Sequence, residues 1–294
     1  MKKKAKVYSF LNQKGGVGKT ITTISLAGAA AMNKKKTLVI DMDQQGNSSI
    51  GLGINNPDGT IYEALTKGEI EVYEYDKYIH LLPADDRLGQ LEIELSKEPL
   101  GRENRLKKLI DAEFRSDYDF IFIDSPPSVN IYSVNSLIAS DAVILPLQAT
   151  LFAVKGLSSI TDIITQIKES NFNPDLVLKG ILFVMHDERP IVSRDIAAQV
   201  KEMVGNKILN TFIRSAKLVE EAVMSGRHIF DYEAALWDED DTKNHKRRKQ
   251  NNVTIDYMNL YNELFLDDQK NRDEEDVPLT DLGTRFKAYL GQNN

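Results

Sequence analysis

Gln13-Lys14-Gly15-Gly16-Val17-Gly18-Lys19-Thr20 sits between two segments of different periodicity. Residues 7–11 read as a short apolar strand and residues 20–32 as a helix, so the chain changes from one to the other across a stretch carrying three glycines. A strand that ends in such a loop and a helix that starts from it open a β–α unit, with the loop at the strand's carboxyl end. Gly18, Lys19 and Thr20 fill the last three positions of the phosphate-binding pattern G-x-x-x-x-G-K-[ST]. In that pattern backbone N–H groups cradle phosphates, the lysine reaches terminal phosphate oxygens and the hydroxyl holds Mg²⁺. The helix N-terminus adds partial positive charge at the same place. The first position of the pattern is Gln13 instead of glycine, and Lys14 supplies a second lysine five residues ahead of Lys19.

The rest of the chain repeats the same alternation. Apolar, β-rich runs recur at 7–11, 37–40, 79–82, 120–123, 142–147, 178–184 and 208–213, with helical patterns at 20–32, 103–114, 133–139, 156–170 and 193–204 between them. Strands apolar on both faces and alternating with helices predict an α/β fold, a mostly parallel, doubly wound sheet with helices on both faces, and the phosphate-binding loop that opens it points to the P-loop NTPase type. Ligands of such sheets lie beyond the carboxyl ends of the strands. The phosphate loop, Asp41 with Asp43, and Asp124 each follow a strand directly, so all of them are expected at one edge. Asp41 and Asp43, at i and i+2, point the same way if the extended geometry persists. Asp124 ends the apolar run Phe120-Ile121-Phe122-Ile123, the usual form of a second Mg²⁺-coordinating carboxylate in phosphate-loop ATPases.

Composition excludes several classes. Zero cysteines remove disulfides, thiolate metal sites and iron–sulfur ligation. A net charge of −7 gives no general attraction to nucleic acid, so any DNA contact must come from a local patch. No apolar run approaches the roughly 20 residues of a membrane span, and Met1-Lys2-Lys3-Lys4 leads into a strand instead of a signal-peptide core. A cytoplasmic protein without membrane attachment is expected.

The two-lysine loop resembles the deviant phosphate-binding loop K-G-G-x-x-G-K-[ST] of the ParA/MinD family of ATPases. Further motifs follow in the family's order. Asp41-Met42-Asp43-Gln44-Gln45-Gly46-Asn47 is similar to D-x-D-[PQ]-Q-G-N, and Asp124-Ser125-Pro126-Pro127 to D-x-P-P. The stretch 135–141 resembles N-A-L-x-A-A-D, Pro146-Leu147-Gln148 resembles P-x-Q, and 152–157 resembles F-A-x-x-G-L. The likeness runs from about residue 6 to about 232, and the absence of cysteine sets the chain apart from the nitrogenase iron-protein branch.

The resemblance implies a Mg²⁺-dependent ATPase with ATP held on Lys14, Gly15, Gly16, Val17, Gly18, Lys19, Thr20 and Ile21. It places Mg²⁺ at Thr20, Asp41 and Asp124, gives Asp43 the hydrolytic role, and makes Lys14 reach across a homodimer to the partner's nucleotide. It implies DNA contacts without sequence preference through Arg189, Arg194, Arg214 and Lys217, on nucleoid DNA, and a ParB-like centromere-binding protein that stimulates hydrolysis. Small ParA partition proteins are the nearest match, since the first strand begins almost at once and no helix-turn-helix domain is expected ahead of it. A MinD-like, membrane-associated positioning ATPase is the alternative, and a non-catalytic nucleotide-gated module a third. One departure is Arg214-Ser215, where the family commonly has Pro-Arg in I-P-R-N, which leaves the adenine pocket undetermined. Residues 1–235 are expected to form the ATPase core and 236–294 a charged insertion and helical tail, with Lys243, Lys246, Arg247, Arg248 and Lys249 as a basic cluster or a solvated loop.

Overall fold

The structure is a computed structural model and describes residues 4–96, 101–150, 153–185, 198, 200–202, 204–241 and 250–266. In chain order its elements are β1 (Lys6–Phe10), α1 (Lys19–Met32), β2 (Thr37–Asp41), α2 (Asn47–Gly51), α3 (Ile61–Thr66), β3 (Tyr73–Glu74), β4 (Ile79–Leu82), α4 (Leu91–Ser96) and α5 (Arg105–Leu109). There follow β5 (Phe120–Asp124), α6 (Ile131–Ala139), β6 (Ala142–Leu147), α7 (Ala153–Glu169), β7 (Val177–Phe183), α8 (Lys217–Met224), α9 (Ile229–Asp241) and α10 (Asn252–Tyr261). The seven strands form one sheet in the order β3-β4-β2-β5-β1-β6-β7, parallel throughout except for the edge pair β3–β4.

The central strands are mostly apolar because they meet a helical layer on both sides. Successive side chains go to opposite faces: Tyr8, Phe10, Val39, Phe122 and Ile144 pack on one, and Leu38, Ile40, Ile121 and Ile123 on the other. The first face is covered by α1 and α10. The second is covered by α3 and α5 beside β2 and β5, and by α6 and α7 beside β6 and β7.

α1 is built from small residues, with Ala27, Gly28, Ala29 and Ala30 buried, and this lets it lie close to the sheet and to α10. α10 brings Tyr257, Leu260 and Tyr261 into the main core, and the turn after it adds Leu264 and Phe265. Phe265 stands 4.7 Å from Phe120 and 5.2 Å from Tyr261 between ring centroids. Residues 252–266 thus close the sheet's first face, and the boundary expected at 235 falls within α9.

Two regions depart from the expected pattern. Residues 208–213 do not form a strand; a single parallel bridge joins Ile181 to Ile208. The cause is a competing acceptor: the buried Glu263 carboxylate takes the N–H of Asn210 at 2.7 Å and of Thr211 at 2.8 Å, so those groups do not join the sheet ladder. The helix expected at 103–114 is a short 3₁₀ turn, then α5, then a π turn over Ile110–Phe114. Most of the helix expected at 193–204, the basic cluster 243–249 and the tail beyond 266 lie outside the described residues. Among the described residues no helix is long and apolar enough to cross a membrane.

Candidate nucleotide site

The loop between β1 and α1 turns on two glycines in the left-handed region, Gly16 at φ 72° and Gly18 at φ 76°. Gly18 is the residue before the first turn of α1, and no side chain caps it, so the N–H groups there stay available to a ligand. Beneath the loop lies a residue that sequence reasoning passed over. Asn12 donates from Nδ2 to the carbonyl of Pro146 at 2.6 Å and accepts the N–H of Lys14 on Oδ1 at 3.0 Å. It ties the loop to the end of β6.

The two lysines stand in opposite settings. Lys19 is buried, and burial lowers its pKa even though Asp124 and Asp43 lie close enough to oppose that shift. Lys14 is exposed, and its Nζ donates to Gln148 Oε1 at 3.3 Å.

Asp41 and Asp124 are register partners at the ends of the adjacent parallel strands β2 and β5. Both are fully buried, and burial raises both carboxyl pKa values above the ordinary range. Their oxygens are used differently. Asp41 is saturated: Oδ2 accepts the N–H and hydroxyl of Ser49 at 3.0 and 2.9 Å, and Oδ1 accepts the N–H of Asp43 at 3.1 Å. On Asp124, Oδ2 accepts the hydroxyls of Thr20 at 2.7 Å and Ser48 at 2.8 Å, while Oδ1 is buried without a partner. Asp43 accepts the N–H of Gln45 at 3.1 Å and stays beside the Lys19 ammonium.

Asp41 therefore shapes the turn into α2, and Asp124 presents an open oxygen next to a hydroxyl and an ammonium. Ser48 and Ser49, which place these carboxylates, directly follow the Gly46-Asn47 turn, and their signal was their position in the first turn of α2. Among the described residues no group of three or more His, Asp or Glu side chains could hold a metal by itself. Thr20 and Asp124 offer hard oxygen ligands for Mg²⁺ only if a ligand's oxygens complete the set.

Of the basic residues expected at DNA, Arg189 and Arg194 lie outside the described residues. Lys217 is exposed at the start of α8. Arg214 is engaged by Asp256 of α10, which accepts its backbone N–H at 3.1 Å, its Nε at 2.9 Å and also its NH2 group.

A family model described as an AAA domain matches residues 5–178. The chromosome-partitioning ATPase Soj of Treponema pallidum is 39% identical over 233 residues, which is 78% of this chain and 90% of that one. The chromosome partitioning protein ParA of Myxococcus xanthus is 37% identical over 230 residues, 76% of this chain and 80% of that one. Among solved structures, a cobyrinic acid a,c-diamide synthase from Mycobacterium smegmatis with bound ADP and magnesium aligns at a TM-score of 0.68 and 28% identity, covering 84% of this chain and all of that one.

Proposed function

The chain belongs to the AAA-domain family of ParA- and MinD-type P-loop ATPases, and we propose that within it the protein is a ParA-type partition ATPase. It would bind ATP with Mg²⁺, close into a homodimer, engage double-stranded DNA without sequence preference, and segregate a plasmid or chromosome with a ParB-like partner stimulating hydrolysis. The observation that carries this reading is the meeting of Lys19, Thr20 and the open oxygen of Asp124 at the start of α1.

The residues divide the work. N–H groups from Gly15 to Ile21 orient the phosphates while that of Lys14 stays on Asn12, and the buried Lys19 ammonium sits where negative charge would grow on the transferred phosphoryl group. Thr20 and Asp124 fit Mg²⁺, which when bound would neutralise phosphate charge. Asp41 holds the turn that carries Asp43, and Asp43 takes the role of orienting the attacking water. Lys14, exposed on the rim, is free to serve a second subunit, so nucleotide state and dimerisation become one switch. Lys217 marks the surface for DNA phosphates.

The test is binding to nonspecific duplex DNA and to anionic liposomes with no nucleotide, ADP or ATP. ATP-dependent, salt-sensitive DNA binding is the expected result. Binding to liposomes without binding to DNA would overturn the reading in favour of a MinD-like ATPase.

A further inference from the structure

At the end of α1 away from the phosphate loop is a cavity of about 640 Å³, within the size range of ligand sites. α1 has 14 residues, which puts the cavity about 20 Å from the loop. Met32 closes one side, the β3–β4 connection supplies Tyr75, Asp76 and Tyr78, and the turn from α8 into α9 supplies His228 and Asp231.

Its polar groups are incompletely used. Asp76 Oδ1 accepts the N–H of Tyr78 at 2.6 Å and of Ile79 at 2.7 Å, and Oδ2 has no partner among the described residues. Asp231 Oδ2 accepts the hydroxyl of Tyr75 at 2.6 Å; Arg227, which also lines the cavity, approaches that oxygen only to 3.8 Å, a loose pair that an incoming guanidinium would have to displace. His228 is only 5% exposed. Its Nδ1 accepts the N–H of Asp231 at 3.1 Å, which puts the ring proton on Nε2. The Nδ1 edge is turned to Gly28 of α1, so the Nε2–H edge, which has no partner among the described residues, is the one that faces the cavity.

Two carboxylates with acceptor oxygens to spare, one buried donor and the Tyr78 ring, which already draws the Lys77 ammonium to 5.3 Å from its centroid, define the complementary ligand. It is cationic and planar, and it carries an acceptor a short distance from the charge. We propose that this cavity binds an arginine side chain presented on a peptide segment of a partner protein. The guanidinium is met by Asp76 and Asp231 and stacks on tyrosine, while a carbonyl of the peptide accepts from His228 Nε2. Lysine supplies the charge without the flat, stackable group, and the carboxylates disfavour an anion. The rim suits a peptide as well, because Met32, 63% exposed, lines the cavity and offers an apolar flank beside its charged groups. The site stands on the cavity alone, so its failure and the failure of the partition reading show up in different experiments.

The full chain, labelled with ¹³C at methionine methyls, is titrated with acetyl-Gly-Arg-Leu-amide and with the same peptide carrying neutral citrulline. The Met32 methyl is expected to shift in a saturable way with the arginine peptide and about tenfold more weakly with citrulline. Asp231→Asn and, independently, Tyr78→Ala are expected to weaken the arginine shift, with nucleotide binding and melting temperature showing that each variant is folded. Equal response to the two peptides, no response up to about 10 mM, or responses unchanged in both variants would each overturn the proposal. So would shifts of the same methyls with protein concentration in the absence of peptide, which would make this face a contact between copies of the chain.

Discussion

The guanidinium of Arg214 is bound at two points by the carboxylate of Asp256, and that carboxylate also accepts the Arg214 backbone N–H. The side chain of Asp256 is 6% exposed and that of Arg214 42%. Arg214 thereby fastens the segment after β7 to α10, a structural duty that precedes any contact with DNA.

A charge reversal at Arg214 sets two carboxylates together, one of them buried. Arg214→Glu is expected to cost about 2–4 kcal/mol in urea unfolding, so its loss of DNA binding would be ambiguous. Lys217→Glu, at an exposed site, should leave stability within about 0.5 kcal/mol. It should weaken ATP-dependent DNA binding and reduce the salt slope, read by fluorescence anisotropy across a salt series.

The two loop lysines should separate cleanly. Lys14 is exposed and its Nζ bonds to Gln148 alone among the described residues, so Lys14→Ala should fold and bind nucleotide normally yet fail to dimerise with ATP, as seen by light scattering. Lys19 is buried against Asp124 and Asp43. Lys19→Ala should lower ATP affinity about a hundredfold, a loss of roughly 2.7 kcal/mol, measured by calorimetry.

Gly28 tests how closely α1 is packed. A Cβ at that position would lie 2.7 Å from His228 Nδ1 and 2.9 Å from its Cγ, well inside contact distance, and 3.0 Å from Phe230. Gly28→Ala should destabilise the protein by about 1–3 kcal/mol despite the better helix propensity of alanine. A gain in melting temperature would show that the His228 ring moves aside without cost.

His228 also sets a pH dependence. Burial lowers its pKa below the ordinary 6.5; Asp231 and Asp76 oppose that shift without cancelling it. Tyr75 and Phe230 face it with rings, and Gly28 is the neighbour on α1. The unfolded chain therefore takes up a proton here before the folded one does. Stability from this group is intact above about pH 7.5 and falls as pH drops through 6.5. Urea midpoints at pH 7.5 and 5.5 should differ less in His228→Gln than in the parent protein.

The strands buried on both faces were legible because continuous runs such as 120–123 and 142–147 have one natural home, the middle of a parallel sheet. The site was legible where a residue type carries its own chemistry, as Lys19, Thr20 and Asp124 do. It was not legible where an ordinary residue is given its role by a partner far along the chain. Asn12 matters through Pro146, Ser48 through Asp124, and Glu263 through the N–H groups of Asn210 and Thr211. That last pairing also explains why 208–213, apolar enough for a strand, forms only one bridge. The two-residue strand β3 is too short for any alternation to register, and the charged composition of α9 hides a helix that buries Ile229, Phe230 and Glu233 in its first turns.

α1 is enclosed from Thr22 to Ala30, and apart from Ile24 and Leu26 its side chains there reach no further than a methyl or hydroxyl. The run from Ala27 to Ala30 has no rotamers to absorb a displacement, and the histidine ring on Gly28 blocks travel along that side. The helix accordingly works as a stiff strut. Its two ends, Lys19 at the phosphate loop and Met32 beside the cavity, are thus held at one fixed separation by a closely packed rod.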